Sequence, residues 1–303
     1  QPAAGCGRVA DCHRRFGVTP TPEHVVSIMP VRAGTDDGTL VPMPVTPLSF
    51  ARLAQSSPWR WRSLQLRYAD SRYAVRAWVG RPRALRVETL DGRLVQAVAR
   101  PEHSAGSMIS FGVDGVSAPV VRPWPWEVEV PLDAEGLVVR RPSSFEVELD
   151  DEIFQTYRFV AALDPAELAS GVDLTDVREQ VWRDRLVWEA TARPTPAYRP
   201  RCTCCALLPG VIAEGLFLAE GGGADGPSDP DVRFPDWRAE EFFVRLDVRT
   251  GVVAAVDRLD RHDPAARLTL DVEAVDGDWP PEHFVEPRGH RHPPASAFSS
   301  GAG

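Results

Sequence analysis

Tyr73-Ala74-Val75-Arg76-Ala77-Trp78-Val79-Gly80 changes character at every residue: Tyr73, Val75, Ala77 and Val79 fall on one side, Ala74, Arg76 and Trp78 on the other. Successive side chains of a strand point to opposite faces, so this rhythm reads as half-buried β-structure. The same period extends outwards in both directions. Upstream, Trp59 and Trp61 alternate with Arg60 and Arg62, and Leu64, Leu66 and Tyr68 follow; downstream, Leu85 and Val87 flank Arg86, Asp91-Gly92 marks a turn, and residues 94–98 continue the pattern. Connections this short join antiparallel neighbours in a meander.

Further out, the period changes. Thr46 as N-cap and Pro47 at the first helical position announce a helix carrying Leu48, Phe50 and Leu53, with a stop near Pro58. Residues 1–44, broken by Pro20, Pro22, Pro30, Pro42 and Pro44, read as an irregular arm. Residues 101–142 are irregular around Trp124-Pro125-Trp126, with an edge strand expected at 137–139. Phe154, Tyr157, Val160, Ala161 and Leu163 repeat at helical spacing after Asp150-Asp151-Glu152, acids that suit the positive end of a helix dipole; this stripe is expected to be core. A short helical piece at 165–169 ends at Gly171. Strands resume with Val172 and Leu174, a turn at Arg183-Asp184, then Leu186 and Trp188. After a Pro-, Gly- and Cys-rich insertion at 193–237, Phe242, Val244, Leu246 and Val248 lead to the turn Arg249-Thr250-Gly251, and residues 252–256 and 268–272 close the pattern. The expected organisation is an arm at 1–44, one domain at 45–287 with insertions at 101–142 and 193–237, and a disordered tail at 288–303.

Composition narrows the chemistry. A chain of 303 residues hides about three quarters of its unfolded surface on folding, so neither disulfide nor metal is required for a core. All 34 basic residues are Arg, and there is neither Lys nor Asn. Schiff-base catalysis, a P-loop lysine and a serine-lysine dyad are thereby excluded, as is N-glycosylation. A net charge of −9 argues against a general nucleic-acid binder. No apolar run is long enough to span a bilayer as a helix. The charge is segregated: residues 51–100 hold 11 Arg against 3 acids, residues 124–189 hold 6 against 16, and residues 219–303 hold 9 against 17. Neighbouring strands pairing Arg with carboxylates across their outward faces would explain these blocks; a basic patch for an anionic head group or an acidic partner is the alternative.

Arg201-Cys202-Thr203-Cys204-Cys205 is the most unusual local sequence. Cys202, Cys204 and Cys205 could present thiolates to a soft metal such as zinc, or serve redox chemistry beside Arg199 and Arg201. Equally, they could be small apolar anchors, with Leu207 and Leu208 plugging into the core. Five cysteines do not form a fully paired framework, which points to a reducing, cytoplasmic setting unless an upstream leader directs export. The run 221–226 matches a dinucleotide-binding glycine pattern, but Pro227 and Pro230 follow where a helix should open, so it reads as a loop. No nucleophile-elbow serine or zincin motif occurs.

Three pieces resemble the lipoprotein-carrier fold of the LolA-like and RseB-like families. Arg76-Ala77-Trp78-Val79-Gly80-Arg81-Pro82-Arg83-Ala84-Leu85-Arg86-Val87 is similar to its early paired strands around a proline-containing turn. Leu246-Asp247-Val248-Arg249-Thr250-Gly251-Val252 is similar to its late hairpin, with a turn reading Asp-x-x-Thr-Gly. Residues 268–273, then Val275-Asp276 and Glu282-His283-Phe284, are similar to its closing strand and terminal Phe. In overall look the chain is also similar to actinobacterial proteins of unassigned function, a likeness that its all-Arg basic composition suits. The resemblance implies an α+β fold in which a strongly curved antiparallel sheet, a half-barrel, wraps around two or three helices and leaves an apolar concave face. Such a face suits an acyl chain, another apolar small molecule or a peptide. Trp59, Trp61, Trp78, Trp188 and Trp237 are its candidate lining. The expected function is a binding protein with neither catalysis nor a required cofactor; the alternative is a metal- or redox-responsive regulator built on Cys202, Cys204 and Cys205.

Overall fold

A computed structural model describes residues 45–100, 122–143, 146–210, 212–213, 215, 240–259, 266–287 and 289, and for Cys204 the backbone alone. The chain divides into two compact units, Gln1–Pro42 and Met43–Gly303, and the described residues belong to the second. The arm at 1–44, the loop at 221–226, Trp237 and, Gly289 apart, the tail from 288 lie outside the described residues.

Helix α1 spans Pro47–Arg60. Thr46 caps it as the sequence predicts: its hydroxyl accepts from Ser49 N at 3.1 Å while Ser49 Oγ accepts from Thr46 N at 2.8 Å. The helix runs past Pro58, since a proline in the last turn removes one N–H without ending the helical φ. Trp59 and Arg60 are therefore helical, not the start of the strand pattern. The strand rhythm begins at Ser63.

Among the described residues nine strands follow: β1 (Ser63–Asp70), β2 (Ala74–Gly80), β3 (Ala84–Thr89), β4 (Leu94–Ala99), β5 (Val172–Trp182), β6 (Arg185–Pro194), β7 (Phe242–Asp247), β8 (Val253–Arg258) and β9 (Leu268–Val275). They form one antiparallel sheet in the order β4-β3-β2-β1-β9-β8-β7-β6-β5, with β1 against β9 joining early and late chain. Leu64, Leu66 and Tyr68 align with Val79, Ala77 and Val75, and these with Leu85, Val87 and Thr89, so one face of the first half is continuously apolar. Each Leu and Val there contributes about 1.5–3 kcal/mol by leaving water.

The opposite face of β1–β3 carries the charge, and the blocks seen in the sequence meet there. Arg67 and Arg76, cross-strand neighbours, both bond Glu273 on β9, at 2.6 and 2.9 Å. Elsewhere Arg52, Arg81, Arg83 and Arg100 of the basic block reach Asp133, Asp151, Glu148 and Glu152 of the first acidic one.

The sheet is neither closed nor strongly curled, so the tight half-barrel implied by the resemblance does not form. Strong bending needs glycine kinks and bulges aligned across strands. Here the one glycine within the nine strands is Gly80, at the end of β2, and the bulges, on β4, β5, β8 and β9, are scattered.

The apolar face is covered by α1, by α2 (Tyr157–Leu163), by a 3-10 turn at Ala166–Ala169, and by irregular chain. Phe154 and Phe159 pack edge-to-face on Tyr68, with ring centroids 6.5 and 5.3 Å away. Phe154, Val160, Ala161 and Leu163 are core as expected, whereas Tyr157, the first residue of α2, is exposed. Asp150, Asp151 and Glu152 precede α2 by several residues and pair with Arg201, Arg81 and Arg100 instead of capping it. At 137–139 there is a single bridge, Val138 to Leu132, in place of the expected edge strand. This segment lies along α1, where Gln55 Nε2 donates to Val138 O and Val138 N donates to Ser56 Oγ. Leu207 and Leu208 of the insertion are buried in the core. Gly171, at φ +70°, permits that arrangement: a Cβ there would lie 2.4 Å from Tyr198 N. Among the described residues no helix is long and apolar enough to cross a membrane.

Candidate functional site

The five tryptophans do not gather on one surface. Trp61 and Trp188 are core side chains on the covered face. Trp61 donates from Nε1 to Ser57 Oγ, and Trp188 from Nε1 to Glu179. Trp59 is half-buried on α1, with the Arg141 guanidinium 5.6 Å from its ring. Trp78 alternates with the core residues Ala77 and Val79, so it sits on the opposite face, where His283 packs edge-on at 5.1 Å. Trp237 lies outside the described residues.

Cys202 precedes a 3-10 turn at Thr203–Cys205 and Cys205 ends it, and both are half-buried. Among the described residues no group of three His, Cys, Asp or Glu side chains is placed to hold a metal. The Cys204 side chain lies outside the described residues.

A different place combines apolar and charged groups. The hairpin of β5 and β6 is the longest in the sheet, and its tip overshoots the six-residue β7. Its turn, Arg183-Asp184, holds both residues at positive φ, 50° and 60°. That is the two-residue turn whose twist matches flanking strands. Beside the tip lies the β7–β8 turn. Asp247 organises it, accepting from Thr250 N at 2.8 Å and Thr250 Oγ1 at 2.7 Å, while Gly251 at φ +73° closes it. A Cβ on Gly251 would come within 2.8 Å of Leu53 O, so only glycine lets the turn press against α1. The helix answers from its last residue: Arg60 donates through Nε to Arg249 O at 3.0 Å and through Nη2 to Val248 O at 2.9 Å.

Between these three elements is an open cleft of about 330 Å³. Leu186 and Val248 supply its apolar lining; Arg60, Arg185 and Arg249 are its cations, Asp184 and Asp247 its carboxylates. Leu186 shares the side of β6 that carries Trp188, Ala190 and Ala192, so the cleft continues the covered apolar face beyond the end of α1. Leu186 is 43% exposed, and its cross-strand neighbour Val181 is 67% exposed.

The charges are not equivalent. Asp247 is almost wholly buried and receives a two-pronged bond from Arg185, at 2.5 and 3.0 Å. These two cancel. Burial pulls the Arg60 guanidinium below its ordinary pKa, partly offset by Asp247, and it remains a cation at neutral pH. Arg249 is exposed. The cleft thus presents Arg60 and Arg249 against Asp184, a net positive edge beside an apolar patch. By contrast, a cavity on the other side of the hairpin tip, lined by Trp182 and Asp271 among others, holds about 30 Å³, enough for water and too small for a ligand.

No family model matches the chain, and no curated protein or solved structure matches it either.

The cleft residues were visible in the sequence as strand and turn residues, not as a site. Asp247-x-x-Thr250-Gly251 was the one signal, because that spacing predicts a side-chain-closed turn. That the turn would face the end of α1 and a hairpin tip 62 residues earlier in sequence is a property of the sheet order.

Proposed function

We propose that the protein is a non-catalytic binding protein that holds an acyl chain or comparably apolar ligand on the core-facing side of its sheet, at the cleft between α1, the β5–β6 hairpin tip and the β7–β8 turn. The observation that carries this reading is the exposed pair Val181 and Leu186, apolar side chains facing each other across the hairpin where the helical cover stops. An apolar surface that continues past its cover is a place where a ligand gains by leaving water. The cleft volume stands at the small end of ligand sites. The resemblance of the strand and turn sequences to lipoprotein carriers points to the same class of ligand. The lining residues offer contact and charge, which fits binding.

A fluorescent long-chain fatty acid titrated with the full chain tests this. The expected result is a saturable emission shift that unlabelled fatty acid reverses, weakened about tenfold by Leu186→Asp, which removes apolar contact and adds a charge that must be desolvated. No saturable shift, or equal binding by the variant, overturns the proposal.

A further inference from the structure

Resting on that reading, we infer that the ligand carries a single anionic oxygen head group, a carboxylate or a phosphate monoester, held between Arg60 and Arg249 at the mouth of the cleft. The charge accounting leads there. Of the two lining carboxylates, Asp247 is consumed: Arg185 and Thr250 occupy both its oxygens, and its side chain is 3% exposed. Asp184 remains, one exposed acid facing two cations on separate elements.

Of the two, Arg60 is not a randomly oriented side chain on a surface. Arg60 is fixed by the carbonyls of Val248 and Arg249, which engage Nε and Nη2 and leave Nη1 with both protons for another acceptor. Because one of those carbonyls belongs to Arg249 itself, Arg60 is anchored on the turn that carries Arg249, and both residues line the cleft. Among the described residues no carboxylate bonds either of them. Two guanidinium groups lining one cleft raise the local potential, and an oxyanion is the species that lowers it while accepting charge-assisted hydrogen bonds. The planar fork of Arg suits both carboxylate and phosphate. Leu186 and Val248, lining the same cleft, give the remainder of such a molecule apolar contact. A simple inorganic anion would leave that part of the cleft wet.

The test is competition against the bound fluorescent probe by three molecules of equal chain length: the fatty acid, the alkyl phosphate and the fatty alcohol. In the native chain the acid or the phosphate should displace the probe at least about tenfold better than the alcohol, and the stronger of the two anions identifies the head group. Arg249→Ala, a change at an exposed position, should reduce that preference severalfold while leaving the alcohol unaffected, and rising salt should erode the same difference. Equal displacement by acid and alcohol overturns the head-group inference and leaves the binding reading standing, as does an Arg249→Ala chain that weakens all three alike. Failure of all three to displace a probe that does not bind in the first place overturns the binding reading, and the inference with it.

Discussion

The meander β1–β4 and the irregular cover of the apolar face are held by different forces. In the meander every strand has a register partner, the apolar side chains share one face, and the ion pairs lie half-exposed on the other. In the cover, residues 122–170 and 195–210, regular structure amounts to one seven-residue helix and a few 3-10 turns. Its position is fixed by buried arginine–carboxylate pairs. Arg81, 3% exposed, forks onto Asp151, 4% exposed, at 2.7 and 2.8 Å, and lies 3.4 Å over the Trp61 ring. Arg141 and Arg201 converge on the fully buried Asp164, and Arg201 also reaches Asp150. Glu167 accepts from Tyr198 Oη and from the amides of Arg201 and Leu207, which pins the insertion to the core. Chain without a ladder partner needs side chains to fix its place. A sequence whose cations are all arginine supplies planar forks that bond two acceptors at once.

The largest effect is expected at Asp164, which the cover depends on. Asp164→Ala takes the carboxylate partner from Arg141 and leaves Arg201 with Asp150 alone, and should cost about 3–5 kcal/mol, read as a fall in the urea midpoint. The same site fixes a sign with pH. Burial pushes the Asp164 carboxyl up, but Arg141 and Arg201 outweigh it and leave its pKa lowered, so its contribution is present above the ordinary carboxylate range and lost as the pH falls through the lowered value. Glu167 works oppositely: burial raises it despite Tyr198 and two amides, so its contribution is present in acid and lost as the pH rises through the raised value. Stability measured across pH for Asp164→Ala should therefore fall less steeply on acidification than for the native chain. A variant with an unchanged acid limb would show that the pair does not hold the cover.

A smaller effect is expected in the meander core. Leu66→Ala, at a fully buried position, should cost about 2–5 kcal/mol by cavity formation, with no change in the shape of the pH profile. The smallest belongs to its charged face. Arg67→Ala should change stability by less than about 1 kcal/mol, because Arg67 is 54% exposed and Glu273 keeps Arg76. A larger loss there would erase the distinction between the two regions.

Legibility in the sequence follows the same division. The strands from Leu64 to Val98, the Asp91-Gly92 and Arg183-Asp184 turns and the Thr46 cap were readable, because period and turn chemistry are local properties. Trp59-Arg60-Trp61-Arg62 misled for a local reason too. Four alternating residues fit a strand as well as the last turn of a helix, and Pro58 did not end α1. The acids at 150–152 resemble a helix start, while their partners are Arg201, Arg81 on the β2–β3 turn and Arg100 after β4. Pairings that distant depend on which strands become neighbours. The cleft is of that kind: Leu186 looked like any strand residue until β5–β6 outran β7 beside the end of α1.

Hydrogen–deuterium exchange of the full chain, with and without saturating unlabelled fatty acid, tests the binding site directly. Slowed amide exchange should concentrate at 181–186 and 247–251, the hairpin tip and the β7–β8 turn. Unchanged exchange at both segments, or protection confined to the β1–β4 meander, would contradict it.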